Sequence, residues 1–318
     1  MKKILYVSCH SVLQVDEVKL LRGLNHKVDI VEPSDNSLHP DLSQYDVVIV
    51  VHRMNWLSVN CDNLRPVCAD GHQAIYYRSI GQSHPRLEQK LNQLRREKLL
   101  RIIRYSPSEE HLNSYAGQDY LIRFSKDHNV YKGWEGSDNK CATFCNHIWN
   151  RPVHCKLKYI EQVTEGLDRI LYGWDNEKIT TIPTQELKFE DIPAVMRKTS
   201  VAFYCGTFPA SYTLSFIELL MTGVPVISIG KNLFYEDHPY WGDMFEVPDI
   251  LAYGAGSWAD KPGHIRDAID NVLENREVAE QYSEEGRRIA IKLFSEPVVK
   301  AQWKDLLKHT TWPPWTNK

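Results

Sequence analysis

The run YDVVIVVHRM at 45–54 constrains the fold of this chain more than any other segment. Its middle is apolar without a break, so neither face of the segment is left for water. That is the pattern of a strand covered on both sides. Such strands occur where strands and helices take turns, and the first third of the chain alternates in this way. KILYVSC (3–9) reads as a strand, SVLQVDEVKLLRGLN (11–25) as a helix and KVDIVEP (27–33) as a strand. QAIYYRSIG (73–81), the charged helix PRLEQKLNQLRREK (85–98) and the strand LLRIIRYS (99–106) follow. SPSEEHLNSY (106–115) opens a further helix with Ser108 as its cap. The alternation predicts an α/β fold, a parallel sheet between helical layers.

A polar stretch with two glycines, SKDHNVYKGWEGSDNK (125–140), reads as a linker, and alternation resumes after it. CATFCNHIW (141–149) is strand-like, CKLKYIEQVTEGLDRI (155–170) helical, EKITTIP (177–183) a strand, FEDIPAVMRKT (189–199) a helix and SVAFYCG (200–206) a strand. The end, from VAEQYSEEGRR (278–288) onward, is helical. Two such series predict two Rossmann-like domains facing a cleft, residues 1–135 and 136–295, followed by a C-terminal helix and tail, 296–318. A length of 318 residues allows about two domains, and 42% hydrophobic content lets each bury a core.

A net charge of -3 gives no global attraction to nucleic acid or anionic membrane. No apolar run reaches the roughly 20 residues of a membrane helix, and MKKILYVSCH lacks the longer apolar core of an export signal. The seven cysteines are odd in number and irregularly spaced, which argues against a disulfide framework and for a reducing cytoplasm. Cys141, Cys145 and His147 form C-x3-C-x-H without a second ligand pair, so they are read as buried thiols and no metal site is expected.

The segment TFPASYTLSFIELLMTGVPVISIG (207–230) carries the chemistry. Leu214, Ile217 and Met221 form a helical stripe, Gly223 ends that helix in a left-handed conformation, and 224–229 is a short buried strand. Glu218 falls on the apolar face. A carboxylate there is costly unless paired. A backbone or Arg partner, or a wet helix edge, accounts for it; so does a ligand. The helix starts around Ser211, Tyr212, Thr213 and Leu214, directly after a strand, and its free N–H groups suit a phosphate. Glu218 then lies about 7 to 8 Å beyond, in reach of the ribose of the same nucleotide. A carboxylate accepts both ribose hydroxyls.

At these residues the chain resembles the GT-B glycosyltransferases, most closely the retaining enzymes of glycosyltransferase family 4. There a loop, a Glu-containing helix and GxPVI follow one another, as TFPASYTLSFIELLMTGVPVIS does here. LKFEDIPAVMRKTSVAFYCGTFPAS (187–211) extends the likeness upstream. It is clear over 185–230, fainter over 140–184 and architectural in the first third. The resemblance implies transfer from a nucleotide diphosphate sugar, a UDP-sugar, with retention at the anomeric carbon and with Glu218 on the ribose. The family often has a second Glu eight residues earlier, near the donor sugar; here that position is Ala210. The family also neutralises the diphosphate with basic residues after the first strand of its second domain, which nominates Arg151 and Lys156, with Asn146 and His147 lining the same loop. No cofactor is implied beyond the donor substrate.

Loops at strand C-termini face the ligand in open α/β sheets. In the first domain these are Cys9, His10 and Ser11, then His52, Arg53 and Asn55, then Ser79, Gly81 and Gln82. His10 and His52 are the candidate catalytic groups, polarising an acceptor hydroxyl or steadying the leaving phosphate; the plain alternative is an ordinary loop histidine. Residues 86–104 hold seven basic and two acidic side chains, suited to a phosphate-bearing acceptor such as DNA or simply a solvated helix face. Trp56, Trp134 and Trp258 fall in loop-like stretches where rings stack on sugars or bases. The compact chain and YYRSIGQS (76–83) resemble phage or environmental glycosyltransferases, some of which modify hydroxymethylated bases. Lipid, polysaccharide, protein and small-molecule acceptors stay open as well.

Three rivals use similar architecture. A nicotinamide-dependent oxidoreductase needs G-x-G-x-x-G after its first strand, and VSCHSVLQV has no glycine. GAGSWA (254–259) is the one near match, and Asp260 and Pro262 are read as preventing a helix there. A GT-B-fold nucleotide-sugar epimerase shares the nucleotide site without a second substrate. A non-catalytic two-lobed sugar-binding protein needs no ribose carboxylate. The chain has no D-x-D triplet, which favours metal-independent transfer.

Overall fold

The computed structural model describes residues 1–32, 41–57 and 74–308. The apolar run forms a strand whose five side chains are all buried, Val47–Val51. In chain order the first sheet contains β1 (Lys3–Val7), β2 (Lys27–Val31), β3 (Val47–Val51), β4 (Ala74–Arg78), β5 (Arg101–Arg104) and β6 (Tyr120–Leu121). They lie side by side as β2-β1-β3-β4-β5-β6, every pair parallel. Helices α1 (Ser11–Arg22) and α2 (Pro85–Arg96) connect them. Leu87, Leu91 and Leu94 of α2 pack with Val48, Val50 and Tyr77 of the sheet in one apolar cluster. The segment after β5 makes a short 3-10 turn, Pro107–His111, rather than a helix. Ser106, not Ser108, caps it, in a reciprocal box with Glu109.

The second sheet contains β7 (Cys141–Phe144), β8 (Arg169–Tyr172), β9 (Thr184–Gln185), β10 (Val201–Tyr204), β11 (Val226–Ile229) and β12 (Gly256–Ala259), ordered β12-β11-β10-β7-β8-β9 and again all parallel. This is the dinucleotide-fold order, with the crossover at the middle. Its helices are α3 (Leu157–Val163), α4 (Ile192–Lys198), α5 (Leu214–Thr222), α6 (Lys231–Tyr235), α7 (Val247–Ile250), α8 (Pro262–Glu274) and α9 (Arg276–Phe294). Three expectations fail here. The helix expected over 155–170 stops at Val163; Gly166 turns the chain at φ 76 and Arg169 and Ile170 already belong to β8. EKITTIP contains no strand, and β9 is the two residues after it. A helix does open after GAGSWA: that segment holds β12, and Pro262 sits in the first turn of α8, where its missing N–H costs nothing.

Helix α5 is buried on every side over 216–222 rather than along one stripe. Gly223 ends it at φ 92 and gives its N–H to the carbonyls of Leu219 and Leu220. A Cβ at Gly223 would meet Ser283 Oγ at 2.7 Å, so the position requires glycine.

The chain forms two compact units. One is Met1–Ser125 with the segment from Glu296 onward; the other is Lys126–Ser295. The polar stretch expected as a linker is pinned to the second unit. The amides of Glu135 and Gly136 donate to Arg197 O, Trp134 Nε1 to Thr199 O, and the Arg287 guanidinium to the carbonyls of His128 and Tyr131. The last helix, α10 (Glu296–Lys308), returns to the first unit, where Glu296 pairs with Lys19 at 2.6 Å and Trp303 is fully buried. The expected tail, 309–318, lies outside the described residues. Among those described, no helix is long and apolar enough to cross a membrane.

Charges inside the first unit are met by partners. Arg78 on β4 donates from Nε and a terminal nitrogen to Glu17 Oε1 at 3.0 and 2.7 Å, and Tyr6 donates its hydroxyl to Glu17 Oε2 at 2.7 Å. The ion pair is almost without solvent exposure. Removing one partner of such a pair strands the other, so Arg78→Met is expected to cost about 3–5 kcal/mol of stability, read by urea unfolding. A loss under about 1 kcal/mol would show that the pair is solvated in solution.

Candidate functional site

Each sheet has a point where its strand order reverses, the place where ligands bind in open α/β sheets because the loops leaving adjacent strands diverge. In the second unit that point lies between β7 and β10. The loop after β7 carries Asn146, His147, Arg151 and Lys156; the loop after β10 carries Ser211, Tyr212 and Thr213 and runs into α5. The two loops are joined where Phe208 N–H donates to His154 O at 2.8 Å. The end of β8 packs so closely on β7 that a Cβ at Gly173 would lie 2.1 Å from Cys145 O.

Thr213 caps α5 by position, yet its side chain makes no bond to the first-turn amides of α5. Its N–H donates to Tyr204 Oη at 3.0 Å, and its hydroxyl lies 3.0 Å from the same oxygen and 2.8 Å from Ser215 Oγ. Tyr204, at the end of β10, thus steadies the helix start. Leu214 is half-buried at that turn, and Ser211 is buried, its carbonyl accepting from Glu246 N–H. Tyr212 turns its ring into the core, 5.3 Å from that of Phe294, so any contact it makes with a ligand is through its backbone.

Arg151 is steered by the Asn146 carbonyl, which accepts from its guanidinium at 3.0 Å, while its Nε is buried with no hydrogen-bond partner among the described residues. The Asn146 side chain is occupied in a structural bond, accepting from Trp174 N–H at 3.0 Å. Lys156 departs from its expected place. It is buried, adopts a left-handed backbone ahead of α3, and its Nζ donates to Asp237 at 2.7 Å. Its charge is therefore already met, and Asp237 is held below the usual carboxylate range chiefly by that bond. His147 pairs with Asp175 at 2.6 Å. Cys141 and Cys145 do not converge with His147. Cys141 is buried in β7, where burial pushes its thiol up to about 12. Among the described residues no group of three candidate ligands could hold a metal ion.

Glu218 is 6% exposed and its Oε1 lies 2.7 Å from Lys126 Nζ, which is also buried. The carboxylate on the apolar face thus has a cationic partner, from the stretch that composition offered as a linker.

In the first unit the reversal lies between β1 and β3. His10 is the N-cap of α1, and its Nδ1 accepts from Leu13 N–H at 3.3 Å; Ser11 is exposed on the first turn. Cys9 is partly buried. His52 follows β3 at φ 47, and its Nδ1 lies 2.8 Å from the Tyr77 hydroxyl. Burial, with His84 beside it, lowers its pKa to about 4. Arg53 is spent on structure: it donates to the carbonyls of Ser8 and Glu32 at 3.3 and 2.9 Å. Asn55 and Gln82 are exposed, and Gly81 is buried at φ 82. Ser79 donates its hydroxyl to Glu109 Oε2 at 2.8 Å. Two residues were missed. His84 caps α2 through Nδ1, as His10 caps α1. Glu109 is buried, and burial raises its pKa. The S-H-P run at 83–85 is a readable helix start for the first; the second shows no sequence signal beyond the Ser106 box.

The basic segment 86–104 is less available than its composition implies. Arg104 forks onto Glu88 at 2.9 and 2.7 Å, Arg95 pairs with Asp119 at 2.9 Å, and Arg101 donates to the Tyr120 hydroxyl. Of the tryptophans expected in loops, Trp56 is buried in the first core, Trp134 is bonded to Thr199, and Trp258 is part of β12.

Neither protein-family models nor curated proteins give a match to this chain. Solved structures do. HepE of Anabaena, in complex with UDP and glucose, has a TM-score of 0.67 at 13% identity, covering 97% of this chain and 100% of that one. Sucrose-phosphate synthase of Thermosynechococcus elongatus has a TM-score of 0.68 at 12% identity, covering 97% and 98%. An alpha-glucosyltransferase in complex with UDP-glucose and DNA containing an abasic site has a TM-score of 0.62 at 10% identity, covering 96% and 99%. At such identities the likeness is one of fold: the chain has the two-domain α/β GT-B fold, as its alternation and motifs led one to expect.

The neutral state of His52 has a measurable consequence. Between pH 6.5, the ordinary value, and about 4, the unfolded chain takes up a proton that folded His52 refuses. Stability is therefore expected to fall as pH drops through that window. Urea unfolding at pH 7 and pH 5 should show a smaller acid loss for His52→Gln than for wild type; equal losses would place His52 in contact with water.

Proposed function

We propose that this protein is a cytoplasmic glycosyltransferase that moves a sugar from a nucleotide diphosphate sugar, a UDP-sugar, to a hydroxyl acceptor. The observation that carries this reading is Glu218, a buried carboxylate on a helix that opens at the switch point of a dinucleotide-fold sheet. Five residues separate it from the N-cap, about 7.5 Å along the axis, the spacing of a ribose from its diphosphate. The first-turn amides of α5 and the Arg151 guanidinium supply positive charge for the leaving diphosphate. In the reaction the bond from the anomeric carbon to the diphosphate breaks, the acceptor oxygen bonds to that carbon, and the acceptor proton is lost. The family resemblance implies retention and no cofactor besides the donor, and the lack of a D-x-D triplet favours transfer without a metal. The first unit takes the acceptor, with His10 and His52 as hydrogen-bonding groups at the ends of β1 and β3. A hydroxymethylated DNA base is one acceptor to assay, since Arg86, Arg96 and Lys98 remain exposed on the basic segment.

A thermal-shift screen with UDP, GDP, ADP, CMP and their sugar conjugates tests the donor. A ligand at a hundredfold its Kd adds about 2.7 kcal/mol of apparent stability. UDP should give such a shift, and Glu218→Gln should weaken UDP binding by about tenfold or more, as loss of a hydrogen bond to a charged group does. UDP release in the presence of acceptors should persist in EDTA, and the product's anomeric configuration reads retention directly. Absence of a shift with every nucleotide overturns the reading in favour of a two-lobed sugar-binding protein. Binding without transfer, but with a change in the donor sugar, identifies an epimerase.

A further inference from the structure

We propose that Lys126 is a positioning residue for nucleotide recognition: it fixes the Glu218 carboxylate so that the site accepts a ribose diol and rejects a deoxyribose. This rests on the assignment of Glu218 to the ribose. The two residues come from distant parts of the chain and meet at 2.7 Å, both buried. Lys126 is itself held in place. Its N–H donates to Phe294 O at 3.0 Å, it forms a parallel bridge with Ser295, and its ammonium lies 5.8 and 5.7 Å from the ring centroids of Tyr131 and Phe189.

A buried carboxylate keeps its charge and a single orientation only if a cation is fixed beside it. An ammonium is a compact donor, and here it lies against one carboxylate oxygen. The ionised group has about four lone-pair sites, so acceptor capacity remains for two hydroxyls, and an ionised carboxylate offers no donor in exchange. A 2′-deoxy nucleotide leaves part of that capacity unmet in a dry site, which is the condition under which polar sites discriminate strongly. Without Lys126 the carboxylate loses its fixed orientation, and the preference goes. The diphosphate contacts at Arg151 and the start of α5 do not depend on it.

Calorimetry with UDP, 2′-deoxy-UDP and pyrophosphate tests this on wild type, Lys126→Met, Lys126→Arg and Glu218→Gln. Wild type is expected to prefer UDP over its deoxy analogue by at least about tenfold. Lys126→Met should reduce that preference to within about threefold while pyrophosphate affinity stays within about twofold, and Lys126→Arg should restore part of it. If Lys126→Met does not fold, Lys126→Gln carries the same expectation. An unchanged preference in the neutral variant, with the preference lost in Glu218→Gln, overturns the role of Lys126 and leaves the ribose assignment standing. Absence of any preference in wild type overturns both.

Discussion

A sheet covered on both faces can hold a charge only where a partner reaches it, and this sets the register of the first unit. The cations stand on strands, Arg78 at the end of β4 and Arg104 at the end of β5. Their carboxylates stand on helices, Glu17 on α1 and Glu88 on α2. Each pair ties a helix to a strand at one height, because a shift by a turn would strand two buried charges. The same helices begin at His10 and His84, whose imidazoles cap them. The ion pairs therefore decide where the strand-end loops sit, and in the turn after β5 Glu109 joins them, 3.6 Å from Arg104.

The second unit solves the problem differently. Its central strands carry few charges, and α5 is apolar on nearly every side. Glu218 is the exception, and the question it raises from sequence has a physical answer in Lys126. The ion pair and a ligand role do not compete: a carboxylate that must meet ribose hydroxyls in a dry site needs a counter-charge in the absence of the ribose as well as in its presence. The plain readings of Glu218 from sequence are a backbone or Arg partner or a wet helix edge; the partner is instead Lys126 on a buried face, and that pairing does not remove the reason to look for a nucleotide.

Much of the fold was legible because the signals are local. The unbroken apolar run of β3, the αL glycine at 223 and the strand after it each declare themselves within a few residues. The errors fall where two local rules compete or where partners are remote. Ser106 and Ser108 both suit a cap, and only the reciprocal bond with Glu109 separates them. Pro262 reads as a helix breaker from its neighbours, yet in the first turn of α8 it is a helix starter. Residues 155–170 look helical throughout because the four-residue strand at their end is too short to show its period. Lys156 and Arg104 looked like free cations because Asp237 and Glu88 reach them through tertiary packing. Trp56 looked like a loop aromatic because burial is not written in one residue's neighbours. The candidate site follows the same division. Its placement at strand ends was readable from alternation, while the duties of its side chains were not, since each depends on a carbonyl or carboxylate from another element.

The return of α10 to the first unit bears on how the protein is made. Trp303 and the Glu296 end of the pair with Lys19 complete a unit whose other residues end at Ser125. A ribosome adds about 5–20 residues per second. The Lys126–Ser295 unit, about 170 residues, is thus synthesised in roughly ten to thirty seconds, during which the first unit lacks its closing helix. The half made first is the half finished last, and a nascent chain has a complete second unit before it has a complete first one.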